Sequence, residues 1–121
     1  MSARGLNILF TTWDGGGVVP PTIEAAKRLM ARGHSARIMG DETLRFAVER
    51  AGIAFTPWRE APQRRDTSRE NDPLQDWLYD GPMGGVMRMR DVIMSGGALA
   101  FARDTAAELD RQAYDVVVSC E

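Results

Sequence analysis

The residues able to do chemistry are few, and the most informative of them share one turn. The stretch Trp13-Asp14-Gly15-Gly16-Gly17-Val18-Val19-Pro20-Pro21 places a carboxylate and three consecutive glycines between a strand-like run and a helix-like one. At such a junction in a parallel sheet, ligands meet strand ends and helix amino termini, and glycine lets them approach the backbone closely. A plain strand-to-helix turn also uses small residues, and in that case the Asp14 carboxylate would hydrogen-bond the turn's own amides. The spacing is not G-x-G-x-x-G, because position 20 is proline, and the lysine and hydroxyl of a phosphate loop are missing. Binding of a dinucleotide or of ATP in this turn is therefore disfavoured.

Outside the turn the inventory is short. One histidine, His34, and one cysteine, Cys120, cannot assemble a His/Cys metal cluster or an internal disulfide, so no metal site is expected. Cys120 reads as a small buried residue rather than a nucleophile. Trp77, Tyr79, Met83, Met87, Met89 and Met94 crowd one segment. Flexible methionines and aromatics can line an adaptable pocket for a bulky apolar ligand, and helix packing would use them equally well. Arg59, Arg64, Arg65 and Arg69 read as solvated loop charges.

The elements that must position these residues follow from the pattern. Residues 6–12 hold a nearly continuous apolar run, Leu6, Ile8, Leu9 and Phe10, bounded by glycines, as in a strand buried on both faces of a parallel sheet. Pro21 suits the start of a helix, along which Ile23, Ala26, Leu29 and Met30 recur at helical spacing until Gly33 ends it. Residues 34–39 give a second strand and complete a β-α-β unit. Asp41 is placed to cap a second helix marked by Leu44, Ala47, Val48 and Ala51 and ended by Gly52, before a short strand at 53–56. The charged, proline-containing run 59–73 reads as an exposed, mobile loop, followed by helical stretches at 74–79 and 86–94. Leu99, Ala102, Ala106, Leu109 and Ala113 mark the inner face of a longer helix, and Val116, Val117 and Val118 a fourth buried strand within 114–119. Alternation of this kind predicts an α/β, Rossmann-like open parallel sheet of order 3-2-1-4.

Composition bounds the rest. A chain of 121 residues makes one domain and can bury a core without staples. A formal net charge of −2 leaves no broad basic field, so nucleic acid is not an expected partner. No apolar run approaches the ~20 residues needed to span a bilayer, and no signal-peptide pattern opens the sequence, so a cytoplasmic location is expected.

Taken together, Ile8-Leu9-Phe10, the triple glycine, Pro21, Ala31-Arg32-Gly33-His34 and the strand after it resemble the opening of GT-B glycosyltransferases, in particular bacterial natural-product and macrolide enzymes of the UDP-glycosyltransferase type. The likeness continues through residues 46–58 and returns at 114–119, while residues 59–97 carry none of it. It implies that residues 1–121 form the amino-terminal, acceptor-binding domain of a two-domain enzyme whose carboxy-terminal donor domain lies outside this chain. That enzyme would transfer a sugar, with inversion, from a nucleotide-sugar co-substrate to a hydroxyl of a small, apolar acceptor, with no cofactor. The chain alone would be inactive.

The resemblance also locates the site. Gly15, Gly16, Gly17 and Val18 would border the acceptor; Trp77, Met83 and Met87, outside the likeness, are candidate further contacts on their side-chain chemistry alone. Family members carry a general-base histidine where this chain has Val18, and valine accepts no proton. The family's orienting aspartate falls near Cys120. Asp14 is then the carboxylate nearest the expected reaction centre and the candidate catalytic residue. His34, at the far end of the first helix, matches a structural histidine. The missing histidine keeps a second reading open: a non-catalytic Rossmann-like binding or partner-interaction module. With no later strand in view, the outer edge of the fourth strand is expected to be open to pairing, including self-association.

Overall fold

The computed structural model describes residues 4–78 and 81–120. Four strands, β1 (Asn7–Thr11), β2 (Ser35–Gly40), β3 (Ala54–Pro57) and β4 (Val116–Ser119), form one parallel sheet of order β3-β2-β1-β4, as the alternation predicts. β1 lies inside the sheet because it is the strand most completely apolar on both faces. Its Ile8 and Phe10 join Ile38, Phe55 and Val48 on one side, and its Leu9 joins Met39, Trp58 and Ala61 on the other.

Helix α1 (Val19–Ala31) and helix α2 (Arg45–Arg50), the latter entered through a 3₁₀ turn at Glu42–Leu44, cover the first face. α1 starts two residues before the predicted Pro21, which places Pro20 and Pro21 in its first turn, where a missing N–H leaves no helical bond unmade. Gly33 ends it with φ at +93°, and the His34 amide bonds back to the Leu29 carbonyl. The His34 ring accepts the Leu6 amide at Nδ1, 3.0 Å away, at the edge of the sheet opposite the glycine turn.

Helix α4 (Ala98–Arg111) covers the second face, but not through the apolar stripe read from the sequence. Leu99 and Leu109 are 61% and 41% exposed, whereas Asp104 and Glu108 are each only 3% exposed. The reason is the polarity of what lies beneath. Glu108 accepts hydrogen bonds from Arg111 and from the Tyr114 hydroxyl, and Arg37 of β2 stands 3.7 Å from it. Burial and the hydrogen bond to Glu108 push the Tyr114 hydroxyl up to about 12. Burial alone would raise Glu108, yet the hydrogen bonds from Arg111 and Tyr114 outweigh it and its pKa is lowered.

Asp104 corrects the loop expectation. Its carboxylate accepts the backbone N–H groups of Arg59, Glu60 and Ala61 at 2.8–3.1 Å, so the chain leaving β3 is pinned to α4. Ala61 is buried and Trp58 packs edge-on to Phe101 with ring centres 4.9 Å apart. The segment that follows is ordered by Asp66, which accepts from Ser68 and Asn71, and by a 3.1 Å pair between Arg64 and Asp72. A 3₁₀ turn at Asp76–Leu78 replaces the helix expected at 74–79. Helix α3 (Pro82–Arg88) begins earlier than predicted and runs into a π-helical stretch at Met89–Met94. β4 takes the predicted edge place, but it is not buried as expected: Val116 and Val117 are 40% and 44% exposed, because an edge strand is flanked on one side only. Among the described residues no helix is long and apolar enough to cross a membrane.

Candidate functional site

The carboxyl ends of the strands converge on the glycine turn. β1 delivers Thr12, Trp13 and Asp14 to that edge, and β2, paired with it through Thr11 and Met39, delivers Gly40 and Asp41 beside them. The Thr12 amide donates to the Met39 carbonyl, and the indole N–H of Trp58, just past β3, donates to the Thr12 carbonyl at 3.0 Å. Three consecutive crossings of the sheet are thereby tied together at one end. In an open α/β sheet this is the end where ligands bind.

Within the turn the glycines do different things. A Cβ on Gly15 would lie 2.4 Å from the Trp13 ring, so Gly15 lets the indole fold over the turn. Gly16 has φ at +84°, a conformation that a side chain strains. Gly17 has nothing within 4 Å of a Cβ position, so its neighbourhood is open. Val18 stands at the amino-terminal cap of α1 and presents an apolar side chain there; its carbonyl takes the Thr22 hydroxyl at 2.7 Å.

Asp14 does not bond the turn's amides. Its Oδ2 accepts the Thr43 hydroxyl at 2.7 Å, and its own backbone N–H donates to Asp41 Oδ1 at 3.2 Å. A hydroxyl bound to one carboxylate oxygen fixes the group's orientation and leaves the other oxygen, Oδ1, available to take a proton. Asp41 in turn accepts the Arg64 N–H at Oδ2, 2.7 Å away. It is not the side-chain cap predicted for α2: only its carbonyl serves that helix entry, through the Leu44 amide. Burial pushes the Asp41 carboxyl up to about 6, held back by its two amide donors and raised further by the charge of Asp14.

Trp13, Asp14, Asp41, Arg64, Asp72 and Ile93 line a narrow cleft between this edge and the segment after β3. The structure thus joins Asp14 to residues the sequence reading left as loop. Trp77, Met83 and Met87 do not line that cleft. They are 38%, 64% and 46% exposed, and the Arg69 guanidinium covers the Trp77 ring at 4.3 Å. Tyr79 lies outside the described residues. Cys120 is partly buried against the core, its amide bonded to the Thr11 carbonyl. Asp41, Thr43 and Arg64 were missed as site residues. The signal for Asp41 was its place directly after β2, the same relation to the sheet edge that drew attention to Asp14 after β1.

The parallel sheet of order 3-2-1-4 with a glycine turn at its carboxyl edge is a Rossmann-like α/β domain, a fold this chain shares with GT-B glycosyltransferases of known structure. The comparisons agree with this. The chain is 30% identical over 117 residues to 4'-demethylrebeccamycin synthase of Lentzea aerocolonigenes, a match covering 97% of this chain and 28% of that protein. Its structure resembles CalG4, the calicheamicin glycosyltransferase (TM-score 0.71, 20% identity, 97% of this chain and 27% of the other). It also resembles the glycotransferase of kitacinnamycin (TM-score 0.66, 18% identity, 96% and 25%). No family model matches. The chain therefore spans about a quarter of the length of each of these proteins.

Proposed function

We propose that the chain is the acceptor-binding half of an inverting glycosyltransferase, acting in the cytoplasm on a small apolar natural product. Its relatives support the reaction class: one is a synthase of 4'-demethylrebeccamycin, and two fold neighbours are glycosyltransferases of calicheamicin and kitacinnamycin. The observation that carries the reading in this chain is the oriented carboxylate of Asp14 at the sheet's carboxyl edge, beside an open glycine turn. In the reaction, Asp14 Oδ1 takes the proton of an acceptor hydroxyl as that oxygen attacks the anomeric carbon from the side opposite the nucleotide. The bond from the anomeric carbon to the phosphate oxygen breaks, and the nucleotide diphosphate leaves with the electron pair. Gly15 to Gly17 let both substrates approach the backbone, and Val18 offers apolar surface to the acceptor. The donor is held by a carboxy-terminal domain beyond this chain.

Incubation with nucleotide sugars and aromatic or polyketide hydroxyl compounds, read by mass spectrometry, tests this reading. The full-length protein is expected to yield a product heavier by one glycosyl residue, and residues 1–121 alone none. Transfer by residues 1–121 alone would overturn the division of labour. Acceptor binding without transfer by the full-length protein would favour the non-catalytic module, the reading that Val18 supports.

A further inference from the structure

We propose that Thr43 is a positioning residue of the transfer reaction: its hydroxyl holds the Asp14 carboxylate so that Oδ1, and not Oδ2, meets the acceptor hydroxyl. This role rests on the reading of Asp14 as the base. The Thr43 hydroxyl donates to Asp14 Oδ2 at 2.7 Å across a separation of 29 residues, from the exit of β2 to the exit of β1. The same exit of β2 holds Asp14 a second time, because the Asp14 N–H donates to Asp41 Oδ1 at 3.2 Å. Asp41 fixes the backbone, and Thr43 fixes the carboxylate.

A donor positions a base only if it is itself fixed. Thr43 sits in the 3₁₀ turn Glu42–Leu44, and the turn is tied down at each residue. The Glu42 N–H donates to Gln63 Oε1 at 3.0 Å, the Thr43 N–H to the Arg64 carbonyl at 3.3 Å and the Leu44 N–H to the Asp41 carbonyl at 2.9 Å. Leu44 is buried in the core beneath. The β-branched side chain of threonine adds a stiff χ1, so the hydroxyl is presented with little freedom to lose.

Among the described residues, the rest of the cleft does not hold this carboxylate. Arg64, the basic residue that lines it, is paired with Asp72 at 3.1 Å, and the Asp41 carboxylate that faces Asp14 carries a like charge. The three glycines that follow Asp14 offer no side chain to wall it in. A neutral donor also suits a base, since a hydroxyl orients a carboxylate at less cost to its affinity for a proton than a cation would.

The test uses the full-length protein with Thr43→Val, which removes the hydroxyl and keeps the shape, and Thr43→Ser, which keeps the hydroxyl. In crystal structures the Asp14 carboxylate is expected in one conformer in the wild type and in Thr43→Ser, and turned away or divided between conformers in Thr43→Val. Turnover is measured with the nucleotide sugar and the aromatic or polyketide hydroxyl compound that give glycosylated product. In Thr43→Val kcat is expected to fall ~10- to 10²-fold, the scale of a misplaced reacting group, with KM within ~2-fold of wild type. Thr43→Ser should recover kcat to within ~3-fold of wild type. Added to Asp14→Asn, Thr43→Val should cost less than ~2-fold more, because no base is left to position. An unmoved Asp14 carboxylate in Thr43→Val, no recovery in Thr43→Ser, or a full further loss on top of Asp14→Asn would each overturn the role of Thr43. Unchanged kcat in Thr43→Val beside a large loss in Asp14→Asn would overturn it and leave Asp14 as the base. Unchanged kcat in Asp14→Asn would remove the base, and the role of Thr43 with it.

Discussion

Asp14→Asn in the full-length protein is expected to lower turnover ~10²- to 10⁴-fold, the range a general base typically contributes. The substitution is nearly isosteric, so the folded site should survive it. The backbone N–H of residue 14 still reaches Asp41, and an amide oxygen can still accept the Thr43 hydroxyl. What disappears is a basic oxygen. Unfolding free energy should change by no more than ~1 kcal/mol, and acceptor affinity should persist. His34→Ala is the control: its ring bonds the Leu6 amide at the opposite end of α1, so it should cost stability and spare turnover. A turnover loss of less than ~3-fold in Asp14→Asn would remove the residue from the chemistry, since a working base contributes far more than that.

The largest stability effect is expected at Asp104, where alanine should cost ~3–4 kcal/mol. The side chain is 3% exposed and is the acceptor for the amides of Arg59, Glu60 and Ala61. Removing it leaves three donors without their partner, the Ala61 amide among them in a buried place, and a buried donor left unpaired carries a penalty of ~1–3 kcal/mol before relaxation. Relaxation is limited because Trp58 and Ala61 hold the same segment in the core. Asp104→Asn keeps one acceptor oxygen and should fall between alanine and wild type. Urea unfolding of the three proteins gives the order directly, and an alanine cost under ~1 kcal/mol would mean that the segment re-forms its hydrogen bonds elsewhere.

These two carboxylates differ in how far the sequence exposes them. The sheet was legible because Ile8, Leu9 and Phe10 leave no polar face to solvate, and because Gly33 and Gly52 punctuate the helices that follow. The place of Asp14 at the turn was legible for the same reason, as the first charged group past a buried strand. Asp104 was not, since its partners are backbone amides some 45 residues away in sequence and have no side-chain signature. The inward face of α4 was misread because hydrophobic spacing assumes an apolar sheet beneath. Arg37, a guanidinium inside β2 that also donates to the Phe55 carbonyl, was the available clue that a buried acid must answer it. The alternation of elements gave β4 its edge place, but the three valines were read as buried because high strand propensity does not say how far an edge strand is covered. Residues 59–64 resisted reading because long-range polar contacts to Asp104 and Asp41 hold them rather than local periodicity.

We propose that this domain serves the acceptor and leaves the nucleotide sugar to the rest of the protein. Titration calorimetry of residues 1–121 and of the full-length protein against a panel of nucleotide sugars tests it most directly. The full-length protein is expected to bind donor measurably, and residues 1–121 to give no binding heat at donor concentrations up to ~1 mM. A micromolar dissociation constant for any nucleotide sugar on residues 1–121 alone would place the donor on this domain and contradict the assignment.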